Sequence, residues 1–565
     1  MQTFEDYTYS RPYIAKEKEA FQTLLHQFTS ASSAKEQAES IEAINTMRNH
    51  IATMFNLVYI RASIDTNDTF YQEERDYLDE VGPEFEAMIN AFYKELVKSP
   101  FRKDLEKRWG SQLFHIADSQ IKAFSEEIIP LLQKENKLVS KYSKLVASAQ
   151  VPFDGDVYTL AQLTPFTESD HRPTRKEATE AKFGFFSEHA DEFDEIYDDL
   201  VNVRHDIARS LGYDNFVEVG YLRMERVDYN ADMVKTFRKQ VRDYIVPLST
   251  KLYERQADRI GIDSFKFYDE PFEFTSGNAV PKGSPEWIIE NGKQMYRELS
   301  QETNTFFRFM LERNLMDLEA KKGKESGGYC TFIEDHKSPF IFANFNGTSG
   351  DVDVLTHEAG HAFQFYSSRH IDIPEYLIPT SEAAEIHSMS MEFFTWPWME
   401  LFFKEDVDKY KFAHLADGLQ SLAYIVAVDE FQHRVYENPG WSPDERKKAW
   451  TELEKTYLPH RDYDGIAYLE AGGLWQRQGH IYEAPFYYID YSLAQMCAFQ
   501  FWKRSREDRE KAWNDYLKIC KLGGSKSFLE IVDIANLKSP FEEGTVESVV
   551  KTIDTWLGSV DDQSL

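Results

Sequence analysis

Cysteine is scarce: 565 residues hold only Cys330, Cys497 and Cys520, far apart and without a CxxC pair. That excludes a disulfide framework and a cysteine-type zinc site. Nowhere do about 18 apolar residues run together, so no membrane span is expected. Repeats, low-complexity tracts and an obvious flexible linker are also missing. Basic residues are outnumbered, 64 Lys and Arg against 96 Asp and Glu, for a formal net charge of -32. A surface of that sign repels polyanions and anionic lipid, so neither nucleic acid nor a membrane is an expected partner. The opening residues MQTFEDYTYSRPYIAKEKEA show no apolar leader core, and a cytoplasmic location is expected.

What the chain does have argues for a packed globule. It is 42% hydrophobic and 15% aromatic, too apolar for a solvating, unfolded polymer. Its length suits two to four domain-sized units. Helix-start signals recur. Ser33 with Glu36, and Thr174 with Glu177, have capping-box spacing, and Ser284-Pro285 and Ser442-Pro443 place an N-cap before a first-turn proline. Strand signals are few. An Asp154-Gly155 turn between short apolar arms predicts a hairpin over 151–158, and apolar runs at 327–333 and 339–345 predict a hairpin or small sheet. The expected fold is therefore mainly α, with a helical part over 1–200 ahead of a catalytic part over 201–565.

The second strand pair leads into His357-Glu358-Ala359-Gly360-His361, an HExxH. On a helix, residues i and i+4 project about 40° apart, so both imidazoles can reach one ion while the glutamate flanks it. Val352, Leu355, Ala359, Ala362, Phe363 and Tyr366 give that helix apolar positions to bury, and Thr348 to Asp351 supply capping residues.

A catalytic zinc needs three protein ligands and an open fourth position. The metzincin pattern would place Gly and His where this chain has Gln364 and Ser367, which excludes it. A later glutamate is the other common solution, and the run from Thr380 to Phe394 reads as its helix. Glu385 is the preferred third ligand there, with Glu382 and His387 as alternatives. Glu392, on the same face, reads either as an ordinary acid or as support for a ligand.

The set GGYCTF…PFIFANFNGTSGDVDVLTHEAGHAF, SEAAEIHSMSMEFF and GHIYEAPFYYIDYSLAQ resembles the thimet oligopeptidase and oligoendopeptidase F family, most closely its bacterial Pz-peptidase-like members. The resemblance spans roughly residues 200 to 550. It implies an ellipsoidal helical metallopeptidase with a deep central channel, one Zn2+ per chain, and short peptides as substrates. It places the metal ligands at His357, His361 and Glu385, with a second glutamate at Glu392. It also implies an oxyanion-stabilising Tyr491, a substrate-binding His480 and a substrate-contacting Tyr488. The thimet branch has a further tyrosine where this chain has Ala484, which leaves Tyr482 as a substitute contact.

In the expected reaction Glu358 takes the proton of the attacking water and returns it to the leaving amine, while zinc and Tyr491 hold the oxyanion. The strand Phe340 to Phe345 is expected to pair with the extended substrate or to be purely structural. The alternatives are an exopeptidase using the same centre, and a non-catalytic peptide-binding helical protein.

Overall fold

A computed structural model describes residues 2–565, and the chain is overwhelmingly helical with two small sheets. The first sheet is the expected hairpin. Strands β1 (Val151–Phe153) and β2 (Asp156–Tyr158) pair antiparallel. Asp154 and Gly155 both take positive φ, 48° and 85°, which suits the right-handed twist of the flanking strands.

The second sheet has three strands: β3 (Met316–Glu319), β4 (Tyr329–Ile333) and β5 (Ser338–Phe345), in the order β3-β5-β4. β4 and β5 form the expected antiparallel pair, whereas β3, short and charged in sequence, joins β5 in parallel. The central place of β5 explains its nearly unbroken burial. It also overturns one expectation, because both edges of β5 are already paired and it has no free backbone to offer a substrate. The free edges are those of β3 and β4, and the β4 edge is the one beside the metal-centre cavity.

Several caps form as expected. Ser33 Oγ accepts from the Glu36 N–H at 3.2 Å at the start of helix Ala34–Ile64, although Glu36 bonds back to Ser32 rather than Ser33. Ser284 and Ser442 cap their proline-led helices. Thr174 does not. Pro173 starts that helix earlier, at Arg172–Glu188, so Thr174 sits inside its first turn and bonds the His171 ring at 2.9 Å. Residue 200 lies within helix Ala190–Ser210.

The main core runs from Phe4 to Leu557, and a second apolar cluster joins the front helices to Ile373 and Tyr376. Among the described residues no helix is long and apolar enough to cross a membrane.

Candidate metal centre

The HExxH residues lie on helix Gly350–Ser368. Its start is held by Asp351, which reaches back to accept the N–H groups of Asn346 and Gly347 at 2.8 and 2.9 Å. Val352, Leu355, Ala359, Ala362 and Phe363 are fully buried, so the opposite face carries the histidines to the interior cavity.

Helix Ser381–Phe394 packs against it, and Gly360 makes the approach close. A Cβ at Gly360 would stand 2.6 Å from Ser388 Cα and 2.7 Å from the His387 carbonyl oxygen, both backbone atoms that cannot swing away. The contact brings Glu385 under both imidazoles: its Oε2 lies 3.2 Å from His357 Nε2 and 3.2 Å from His361 Nε2. Gly360→Ala is expected to force the helices apart at a cost of about 1–3 kcal/mol. Zinc affinity, measured by chelator competition, should then fall about tenfold or more with helical content retained. Unchanged affinity would show that the close approach does not set the ligand geometry.

Three donors of this kind suit zinc. Ligand atoms about 2.0–2.2 Å from a tetrahedral ion sit about 3.3–3.6 Å apart, close to the 3.2 Å seen from each imidazole to Glu385, and all three lie within 4.8 Å of one another. Burial disfavours charge on His357, but its hydrogen bonds to Glu385 and Glu392 outweigh that and push its pKa well up. The pocket calls for positive charge, which a divalent cation supplies.

Glu392 supports that centre. His357 Nδ1 donates to its Oε1 at 2.7 Å, leaving Nε2 free to ligate. Its other oxygen accepts from His414 Nε2 at 2.8 Å, and Trp396 Nε1 donates to His414 Nδ1 at 3.2 Å, fixing that tautomer. His414 comes from helix Val407–Glu437 and carries no motif that sequence reading could have used. The other two candidate ligands stand elsewhere: Glu382 is buried near the Arg226–Asp490 pair, and His387 packs against Tyr516.

Glu358 is 6% exposed, and its Oε2 has no partner in the protein. Burial raises its pKa, a shift that His357 and His361 oppose. A buried carboxylate oxygen without a donor is costly unless it faces a ligand or water.

Tyrosines close the other side. Arg226 donates to Asp490 at 2.7 Å and to the Phe486 carbonyl at 2.5 Å, and Gln432 accepts the Phe486 N–H at 2.9 Å. These bonds hold Phe486 at φ 69° and set the turn into helix Ile489–Glu507. Tyr487, which is given no role from the sequence, donates to Glu385 Oε1.

The His480 and Tyr491 side chains meet at 3.1 Å. Tyr424 donates to Gln478 Oε1 at 3.2 Å, and the Gln478 amide donates to His480 Nδ1 at 2.8 Å. His480 therefore carries its proton on Nε2 and gives it to the Tyr491 oxygen, leaving the phenolic proton free to donate. Burial drops His480 to about 4, so the ring is neutral at pH 7.

Tyr488 stands beside His480, with ring centroids 4.8 Å apart. Tyr482 does not reach the cavity. It is fully buried, stacked on Tyr142 at 3.9 Å, with its hydroxyl on the Phe193 carbonyl, so the aromatic core claims it.

His357, Glu358, His361, Glu385, His480, Tyr487 and Tyr491 line one cavity of about 670 Å³. Gly327 to Cys330, at and beside the β4 edge, form another wall, and Tyr59, Arg75 and Tyr142 from the front helices close it over.

Comparison with known proteins places the chain in a family. Residues 293–550 match the profile described as Peptidase family M3, and residues 4–124 match its Peptidase M3 N-terminal domain. An oligoendopeptidase F homolog of Borreliella burgdorferi is 23% identical over 446 residues, covering 74% of this chain and 73% of its own. A solved structure of Pz peptidase A with an inhibitor is 61% identical and superposes with a TM-score of 0.99, covering 99% of this chain and 100% of that one. The oligoendopeptidase F structure from Enterococcus faecium, 15% identical with a TM-score of 0.64 over 98% of this chain and 99% of its own, shares the fold. The chain thus belongs to peptidase family M3 and is a metallopeptidase of the oligoendopeptidase F type.

Proposed function

We propose that the protein is a zinc-dependent endopeptidase that hydrolyses internal bonds of short oligopeptides. The observation that carries this reading is the convergence of His357, His361 and Glu385 beside an unpartnered Glu358 in an enclosed cavity. When bound, zinc polarises the scissile carbonyl and lowers the pKa of a coordinated water toward about 7.

The chain's own residues do the rest. Glu358 takes the proton of the attacking water and passes it to the leaving amine. Tyr491 donates its phenolic proton to the developing oxyanion, and His480 orients Tyr491 from behind. The free edge of β4 offers backbone groups to an extended peptide. Residues 1–200 act as the cover that keeps folded proteins out, a role supported by Tyr59, Arg75 and Tyr142 in the cavity wall. A cytoplasmic location is consistent with three unpaired cysteines, and the charge of -32 argues against nucleic acid as a partner.

Metal analysis and a quenched peptide blocked at both termini test the reading together. Purified protein should hold one zinc per chain, lose it on His361→Ala, and cut the blocked peptide internally. Cleavage only of peptides with a free end would make it an exopeptidase, and protein that binds no metal would remove the mechanism.

A further inference from the structure

Arg477 lines two cavities at once, the 670 Å³ chamber of the metal centre and a neighbouring one of about 390 Å³. It ends the short turn Leu474–Arg477, directly before Gln478. Buried arginines of this acidic chain are matched with carboxylates, among them Arg204 with Glu135, Arg226 with Asp490, Arg238 with Asp429 and Arg461 with Glu270. Among the described residues Arg477 has no carboxylate partner. Its Nε is buried and unsatisfied, and its guanidinium, 5.6 Å from the Tyr424 ring centre, is open to the channel.

A guanidinium with free N–H groups matches a carboxylate in a bidentate fork. Beyond Arg477 the smaller cavity turns acidic, with Glu168, Glu273 and Asp417 in its wall. A carboxylate drawn to Arg477 is repelled from going further.

We propose, building on the peptidase reading, that Arg477 is a subsite for a peptide carboxylate and so registers substrates against the metal centre. The carboxylate comes from the chain terminus or from an Asp or Glu side chain. Either source makes a carboxylate near the cut a determinant of affinity for an enzyme that still cleaves internally.

Equilibrium binding tests this without cleavage. Full-length protein carrying Glu358→Gln is titrated, by fluorescence anisotropy, into an N-terminally labelled hexapeptide with neutral side chains, as the free acid or the C-terminal amide. A third peptide is the amide with one internal Glu.

The free acid, the Glu peptide or both should bind about tenfold or more tightly than the plain amide. Which of them does so identifies the source. Adding Arg477→Gln should bring that advantage within about twofold by weakening only the carboxylate peptides. Equal binding of all three peptides, or an advantage that survives Arg477→Gln, would overturn the proposal. Because no turnover is read, a failed endopeptidase assignment leaves this result intact, and a failed subsite leaves the assignment intact.

Discussion

Glu358→Gln should bind zinc as tightly as the parent protein and turn over peptides about 10²- to 10⁴-fold more slowly, the usual loss for removal of a general base. The substitution keeps the size of the side chain and touches none of the proposed ligands His357, His361 and Glu385. What it removes is the carboxylate that is buried beside the triad with one oxygen unpartnered. An amide cannot accept the proton of water at neutral pH. Zinc content and cleavage of a quenched peptide, measured on the same preparation, separate the two effects. A variant that retains zinc and near-normal turnover would reject Glu358 as the base, and loss of zinc would show that it helps to hold the ion.

The second large effect is expected at Tyr491. Burial raises its pKa well above the ordinary phenol value, so at any working pH it is a neutral donor. His480 occupies its oxygen at 3.1 Å, which leaves the phenolic proton to the substrate. A donor aimed at an oxyanion is worth more in the transition state than in the bound substrate, so Tyr491→Phe should lower kcat about 10²- to 10³-fold. KM should move only a few-fold. An effect confined to KM would make Tyr491 a binding residue and leave the oxyanion to the metal.

Much of this centre was legible in the chain because it is local. His357 and His361 share one helical face by spacing alone, and Glu385 heads a helix whose apolar pattern is plain. The hairpin at 151–158 was readable for the same reason, since an Asp-Gly pair supplies two positive-φ residues.

The misreadings came from partners distant in sequence. Phe340 to Phe345 looked able to receive a substrate until β3 took its second edge. Tyr482 and Tyr487 are alike as letters, yet one stacks on Tyr142 and the other reaches Glu385, 102 residues away. Thr174 lost its expected cap to a proline one residue before it.

From the sequence alone came a candidate metal-binding helix, a candidate third ligand and a candidate base, because helical periodicity and the coordination needs of zinc act over a few residues, while the resemblance supplied the candidate aromatic donors. The bond from Glu392 to His414, the proton placement on His480 and the position of Arg477 between two cavities were decided only by tertiary structure. Each depends on which side chain from a remote helix arrives within hydrogen-bonding distance, and packing sets that.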